Sequence, residues 1–370
     1  MKRVLSYIIM LGLFSSGMVV GQTEKTSPLQ KGRIWGYIFG DMIYKAAGDT
    51  LVWGKTQYAG IEKHALGADL RRLYLGYDYD INEDFSVKVL FEGSAGVTMP
   101  SGKFGLSIKT GYLEWKNVLP FIPNSSFKVG LIPTPIFSFP EKTWGYRSIE
   151  KEALDLRGLG RSVDQGVSLS GSFDKNNRSG FTFLVGNGTG NKPGVDKHLE
   201  LSGSLFKKLA NAHISIEVMG DYLRKDERTQ RAVTRGFFSV QQPGWTFGTE
   251  VSSVFNTETV SGELKDVNSL LLSVFFSNNL SFLGDNWRSF VRYDFYDPDL
   301  DYHAEAIYES PSQHYNEHAI WVGLHYKLEQ KINIMPNVVI NSYTKKNENL
   351  IDRTSTVVPR ITVYFLFGDR

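Results

Sequence analysis

The sequence predicts an all-β fold, a transmembrane antiparallel β-barrel of about 16 strands with long extracellular loops. Three observations predict it: apolar and polar residues alternate along most of the chain, short and long connections alternate between these segments, and an apolar stretch follows a basic N-terminus. Alternation with a period of two indicates strands that have one apolar face. In a membrane barrel that face contacts lipid, and the polar face lines a water-filled lumen.

Residues 1–21 have the features of a signal peptide. Lys2 and Arg3 precede an apolar stretch from Val4 to Leu13, and Gly21 ends a segment typical of a cleavage site. The apolar stretch is short for a membrane-spanning helix, which needs roughly 20 apolar residues. We therefore predict export through an N-terminal signal peptide and treat residues 22–370 as one transmembrane barrel domain.

Composition narrows the function classes. The chain has no cysteine, which excludes disulfides, thiolate metal sites and a cysteine nucleophile. Lysine and arginine number 41 against 39 acidic residues, so the balance is zero once Lys2 and Arg3 are removed with the signal peptide. A nucleic-acid-binding protein usually has a basic excess, and we predict no nucleic-acid partner. Aromatic residues make up 13% of the chain, which suits a barrel with aromatic girdles at the membrane interfaces.

Residues 71–92 are a clear example of a predicted hairpin. Leu73, Leu75 and Tyr77 alternate with more polar residues, the turn INED follows, and Phe85 begins a second alternating run. Comparable alternation recurs near residues 35–40, 111–116, 127–132, 167–173, 181–185, 199–205, 214–222, 231–240, 244–255, 270–276, 291–296, 320–326, 332–340 and 360–367.

Connection length indicates which solvent contacts each face. Short connections are predicted at 81–84, 174–177, 207–211, 241–244 and 328–331. Long ones are predicted at 45–68, 93–103, 134–160, 223–230, 256–267, 297–316 and 345–354. Their alternation matches short periplasmic turns and long extracellular loops, whereas a soluble sandwich has no reason to sort its loops in this way. Pairing of the first strand with the last would leave no unpaired edge in the bilayer.

Three stretches resemble the phosphate-selective porin O and P family of outer-membrane porins. They are SFKVGLIPTPIFSFPEKTWGYRSIEK at 126–151, RGLGRSVDQGVSLSGSF at 157–173 and SFVRYDFYDPD at 289–299, with VGNGTG at 185–190 as a further match. The resemblance implies a sixteen-stranded homotrimeric barrel in the outer membrane of a Gram-negative bacterium. It also implies a pore-constricting loop, which by position is 134–160. The arginine ladder of the phosphate-selective members cannot be placed in this sequence.

Strand parity and the constriction loop supply the candidate residues for pore lining and selectivity. These candidates are Lys88, Lys109, Lys128, Arg147, Lys151, Arg157, Arg292, Asp294 and Arg360. Acidic residues such as Glu92 and Glu114 fall on the same faces, so a pore field of mixed sign is expected. Arg292 and Asp294 are two residues apart and share a face. They form either a selectivity pair or a salt bridge that braces the wall.

The expected function is passive diffusion of small hydrophilic solutes, with inorganic anions such as phosphate among them. The alternative is an outer-membrane barrel with a non-transport role, either a rim hydrolase or an adhesin or structural protein. No motif of the Gly-x-Ser-x-Gly type is present, and we predict no catalytic residue, cofactor or metal site. The expected partners are outer-membrane lipid, the transported solutes, the barrel-assembly machinery and two further copies of the chain.

Overall fold

The computed structural model describes residues 32–50, 56–99, 101–194, 199–260, 263–304 and 311–368, so the predicted signal peptide lies outside the described residues. These residues form one antiparallel sheet. Its strands are β1 Gly32–Tyr44, β2 Leu66–Asp80, β3 Phe85–Thr98, β4 Phe104–Lys116, β5 Ser126–Pro133, β6 Val163–Ser172, β7 Ser179–Gly186, β8 Glu200–Leu209, β9 Ile214–Arg224, β10 Gln230–Gln242, β11 Trp245–Val260, β12 Glu263–Asp266, β13 Ser269–Asn279, β14 Trp287–Asp297, β15 Tyr315–Glu329, β16 Ile332–Lys345 and β17 Thr356–Gly368.

The sheet closes on itself as a barrel. Each strand pairs with the next, and β1 pairs with β17 from Trp35 opposite Gly368 to Ile43 opposite Arg360. The short strand β12 pairs with the far end of β11, and β13 pairs with the rest of β11, so β12 and β13 are two parts of one barrel strand. The 17 segments therefore make 16 barrel strands, which confirms the predicted fold class.

Most strands have the predicted alternation of faces. Outward side chains are apolar and exposed, as at Ile34 (62%) and Phe183 (53%), whereas inward ones such as Ser202 and Glu217 are buried. An apolar side chain remains exposed on the outer face of an isolated barrel because lipid is its natural solvent. Burial therefore has the opposite pattern to that of a soluble sandwich.

The longest connections between strands all lie at one end of the barrel. Residues 81–84, 117–125, 173–178, 210–213, 243–244, 280–286 and 330–331 connect strands at one end, here called the short-turn end. Residues 45–65, 134–162, 187–199, 298–314 and 346–355 connect strands at the other, here called the long-loop end.

The predicted bounds of two long loops are wrong. Strand β3 continues to Thr98, so the loop predicted at 93–103 is shorter. The segment predicted as a loop at 256–267 is mostly a hairpin made by the end of β11 and by β12. Thr257 and Thr259 are β-branched and favour extended backbone, which explains why β11 continues beyond its predicted end.

Strand β1 departs from the rule that polar residues face the lumen. Its aromatic face, with Trp35, Tyr37 and Phe39, points inward, and Phe39 is 1% exposed. The Tyr37 and Tyr74 rings lie 4.6 Å apart across neighbouring strands. These rings are shielded from water by one another, so an apolar face can also point into the barrel.

The segment between β5 and β6 contains two helices that the sequence reading did not predict, α1 Pro135–Trp144 and α2 Ala153–Arg157. Pro135 opens α1, where its missing N–H is not needed, and Gly145 ends it with a left-handed conformation at φ 73°. No helix in the described ranges is long and apolar enough to cross a membrane.

Candidate functional site: the barrel lumen

The segment 134–162, here called the inner loop, folds into the barrel and packs against one side of its wall. Trp144, Tyr146 and Ile149 of the loop join inward side chains such as Phe290 and Trp321 in one apolar cluster. Ile136, Phe137 and Leu154 pack with Met219, Val233, Val254 and Leu271 in a second cluster. Each large side chain buried in this way contributes about 1.5–3 kcal/mol, so the loop is held firmly to strands β9–β17.

Four wall arginines bind backbone carbonyl groups of the inner loop. Arg71 donates to Ser148 and Ile149, Arg360 donates to Ile149, Arg292 to Lys151 and Arg235 to Ile136. All four residues are 2–3% exposed. We call Arg71, Arg235, Arg292 and Arg360 the anchor arginines. They satisfy loop carbonyls that no sheet or helix partner would otherwise reach.

The contact between Arg235 and Ile136 follows from the sequence of α1. Pro140 lies four residues after Ile136 inside the helix. Since proline has no N–H, it cannot make the usual helical hydrogen bond to the Ile136 carbonyl. The Arg235 guanidinium donates to that oxygen instead. A proline that would weaken a free helix thus becomes the attachment point of this one.

Arg157 attaches the other end of the inner loop. It donates to Asp294 over 2.7 Å and to Glu317 over 2.9 Å, and all three side chains are buried. Asp294 also binds Arg292 over 2.6 Å. The predicted pair Arg292 and Asp294 therefore forms a salt bridge within the lumen wall, beneath the loop.

Three carboxylates surround Arg235 on this side of the lumen. Glu217 binds it over 2.6 Å, and Glu152 and Glu250 lie 3.6 and 3.9 Å from it. The second oxygen of Glu152 caps α2, accepting from the N–H groups of Leu154 and Asp155. Burial, and then the nearby Glu250 carboxyl, raise the pKa of Glu152 well above its usual range. Glu152 Oε1 and Glu250 Oε2 have no hydrogen-bond donor, and a proton shared by the two carboxyl groups would supply one.

Strands β1–β5 carry clusters in which one carboxylate binds two cations. Glu92 binds Arg72 over 3.0 Å and Lys109 over 3.1 Å. Two further clusters of the same kind lie nearer the short-turn end. They are Glu114 with Lys88 and Lys128, at 3.2 and 3.6 Å, and Asp80 with Arg33 and Lys116, at 3.3 and 3.4 Å. We call these three groups the wall clusters.

The wall clusters present more positive than negative charge to the lumen. Their six cationic side chains are 17–38% exposed and their three carboxylates 12–16%. Asp78, which pairs in register with Lys88, reduces the excess of three positive charges to two. Ser86, opposite Glu114, and Glu92 are six residues apart on β3, so the clusters extend over roughly 20 Å of the wall.

The inner loop faces these clusters with a balanced set of charges. Arg147 binds Glu141 over 3.0 Å and lies 4.0 Å from Asp155, which also binds Lys151 over 3.4 Å. Two cations thus meet two acids on the loop. These loop residues therefore neither add to the positive excess of the wall clusters nor offset it.

A cavity of about 700 Å³ opens between the inner loop and the long-loop end of the wall. We call it the mouth cavity. It is lined by Lys109 of the wall, Lys151 and Asp155 of the loop, the segment 160–163, the turn Asn187–Pro193 and the segment Leu223–Lys225.

The structure divides the sequence-predicted candidates into two groups. Lys88, Lys109, Lys128, Arg147 and Lys151 are 21–35% exposed and border the open part of the lumen. Arg157, Arg292, Asp294 and Arg360 are at most 5% exposed and hold the inner loop.

Sequence reasoning missed Arg71, Arg72, Arg33 and Lys116. The first two are adjacent, and simple alternation would place only one of them in the lumen. Strand β2 has an extra residue opposite Gly40, where the pairing steps from Phe39–Arg72 to Asp41–Asp69. This bulge lets both arginines point inward. A pair of adjacent arginines within an otherwise alternating strand is the signal that could have indicated it.

Comparisons with known proteins show the fold. No known family matches the sequence, and no curated protein does. Among solved structures, the barrel is similar to an anion-selective porin from Comamonas acidovorans, with a TM-score of 0.63, 11% identity, and coverage of 91% of this chain and 99% of that one. It is also similar to the outer-membrane channel DcaP of Acinetobacter baumannii, with a TM-score of 0.63, 12% identity, and coverage of 91% and 97%.

A trimer form of OmpT from Vibrio cholerae has a TM-score of 0.59, 9% identity, and coverage of 91% of this chain and 99% of that one. At these identities the similarity establishes a shared architecture: the chain has the barrel fold found in outer-membrane porins.

Proposed function

We propose that this protein is an outer-membrane porin through which small hydrophilic solutes diffuse passively, with a preference for anions. The observation that carries the proposal is the set of wall clusters, in which each of three carboxylates binds two cations that are more exposed than it is. Cationic rings in a pore favour anions. The balanced charges on the inner loop leave this excess uncompensated.

The buried side of the lumen supports a fixed constriction. Five arginines and two apolar clusters hold the inner loop, so the open part of the lumen lies between that loop and the wall clusters. Diffusion through a fixed opening requires no conformational cycle. Selectivity then comes from width and charge alone.

The remaining features belong to the same proposal. They are export by the signal peptide, location in the outer membrane of a Gram-negative bacterium, assembly as a homotrimer, and kinship with the phosphate-selective porin O and P family. The similar fold of a protein described as an anion-selective porin supports the preference for anions, and the similar fold of a trimer form supports the oligomer.

The test is the current of the purified mature protein in a planar bilayer under a potassium chloride gradient. We expect stable ohmic steps and a reversal potential that indicates anion preference. A cation-selective reversal potential would refute the preference for anions. The absence of any steps would refute the channel and favour the rim-hydrolase or adhesin alternative.

Two variants test whether cations of the wall clusters cause the preference for anions. Lys109→Glu and Lys128→Glu should each shift the reversal potential toward cations, because each reverses a charge that is partly exposed in the lumen. Lys103→Glu is the matched control, since Lys103 is exposed in the connection between β3 and β4. An equal shift in all three would show that the effect is not specific to the wall clusters.

A further inference from the structure

The lining of the mouth cavity is mostly cationic among its charged side chains. Six of its lining side chains are cationic and one is acidic. Lys109, Lys151, Arg161 and Lys225 each bind a carboxylate. Arg224 donates only to the backbone carbonyls of Asp226 and Glu227, and among the described residues neither Arg224 nor Lys192 has a carboxylate partner. Two cations without a carboxylate partner therefore stand where a solute would enter from the long-loop end.

The size of the cavity favours an organic ligand. A volume of about 700 Å³ lies within the range of about 300–1,000 Å³ that is typical of sites for small organic molecules. The cations stand on four separate parts of the chain: strand β4, the inner loop, the 187–193 turn and the end of β9. An extended anion with several charged groups can contact more than one of these parts at once.

The glycine-rich turn in the cavity wall is not available as an oxyanion cradle. Consecutive backbone N–H groups in such a turn can bind an anion. Here the N–H groups of Gly188, Thr189 and Gly190 donate to the buried Asp164 carboxylate over 2.7, 3.2 and 2.9 Å. A ligand in the mouth cavity must therefore be bound by the separated side-chain cations.

We infer that the mouth cavity binds extended organic anions that carry two or three carboxylate groups. Separate carboxylates on one flexible molecule can pair with the Lys192 and Arg224 side of the cavity and with the Lys109 and Lys151 side at the same time. This inference rests on the proposed function, because the bound anion leaves through the lumen past the wall clusters.

The test compares citrate with inorganic phosphate, each added on the long-loop side of the single channel at matched ionic strength. We expect citrate to interrupt the chloride current at a concentration about tenfold lower than phosphate does, since a second contact of about 1.4 kcal/mol strengthens binding tenfold. Equal effects of the two anions, in a channel that still prefers anions in potassium chloride, would overturn the inference and leave the proposed function standing.

A double variant locates the site. K192Q/R224Q should weaken citrate block about tenfold, because it removes the two cations that lack a carboxylate partner. K103Q/R228Q removes one exposed lysine and one exposed arginine that do not line the cavity, and it is expected to leave the citrate block unchanged. Calorimetric titration of citrate into the detergent-solubilised variants checks binding without any current. Unchanged citrate affinity in K192Q/R224Q would place the citrate site elsewhere and refute the assignment.

Discussion

Burial separates the lumen cations into two roles. The Lys128 side chain is 26% exposed and shares Glu114 with Lys88, whereas the Arg292 side chain is 2% exposed and contacts Asp294 and the inner loop. A charge that contacts water acts on passing ions, while a buried charge is neutralised by its neighbours. Only the first group should control selectivity directly.

Removing a carboxylate from a wall cluster should increase anion preference. Glu114→Gln leaves Lys88 and Lys128 charged and adds one net positive charge to the lumen. One charge at about 4 Å in water changes the energy of an ion by about 1 kcal/mol, so we expect the anion-to-cation permeability ratio to rise about two- to fivefold. Reversal potentials measure this ratio. Glu83→Gln, in the exposed 81–84 turn, is the control, and a fall in the ratio for Glu114→Gln would contradict the assignment.

Removing a buried loop attachment should instead lower stability. Arg157→Met leaves Glu317 without its arginine and Asp294 with one arginine instead of two. Loss of one partner of a buried ion pair typically costs about 3–5 kcal/mol. The measurement is urea unfolding of the refolded barrel in detergent. Lys116→Gln, which breaks a pair whose lysine is 38% exposed, should cost about 0–1 kcal/mol. Similar losses in both variants would mean that Arg157 has no special structural role.

At the scale of elements, the inner loop covers part of the barrel wall, and its apolar and hydrogen-bonding groups match those of the wall. Its apolar side chains meet Phe237, Phe275 and Leu271, and its free Ile136 carbonyl meets Arg235. These inward apolar wall residues would be unfavourable in an open, water-filled lumen. The inner loop therefore shields the apolar residues of strands β9–β17 from water, and these strands in turn stabilise the folded loop.

The stability of this insert should depend on pH through Glu152. Its pKa is raised by burial and by Glu250, so the folded protein holds this proton more tightly than the unfolded chain does. The free energy of unfolding should therefore fall as pH rises from about 4.3, the ordinary pKa of glutamate, through the raised pKa. Glu152→Gln keeps an oxygen to cap α2 and should flatten this part of the profile.

The measurement is the urea midpoint of the refolded barrel at a series of pH values. Asp174→Asn provides the control, because the backbone N–H of Arg178 and other donors in an exposed turn lower the pKa of Asp174. The stability contributed by Asp174 is lost only as pH falls through that lowered pKa, so this variant should leave the neutral and alkaline range unchanged. If wild type and Glu152→Gln had the same slope between weakly acidic and alkaline pH, the shared proton would be ruled out.

At the scale of the whole molecule, closure of the barrel depends on close packing where β1 meets β2 and β17. A side chain at Gly36 would collide with the Phe367 ring and with the backbone carbonyl of Tyr74. Gly36 pairs in register with Phe367 on one side and Leu75 on the other. The absence of a side chain there lets the last strand return beside the first.

Gly36→Val should therefore impair closure. Overpacking of this kind costs about 1–3 kcal/mol, and we expect a smaller folded fraction after refolding. Heat-modifiable migration on SDS gels separates closed barrels from unfolded chains. Gly220→Val is the matched control, because a Cβ at Gly220 in β9 would meet no atom within 4 Å. Equal folded fractions for the two variants would contradict this account of closure.

The sequence alone predicts the strands and their faces well, because residues two apart must point the same way in any pleated strand. Predictions of strand faces and strand ends failed where a local feature overrode the simple alternation. The β2 bulge turned Arg71 and Arg72 to the same side, and β-branched residues extended β11 beyond its predicted end. The helix α1, with Pro140 inside it and only ten residues long, has no pattern that local reasoning could recognise.

What the sequence by itself determined is the barrel: an alternation that leaves apolar side chains outward, and long connections that lie at one end. What only the tertiary structure decided is which lumen cations contact water. Parity places Lys128 and Arg292 on the same inner surface, and only the path of the inner loop exposes one and buries the other. The physical reason is that alternation specifies the face of a strand, whereas the field in the pore depends on what covers that face and on which distant carboxylates bind each cation.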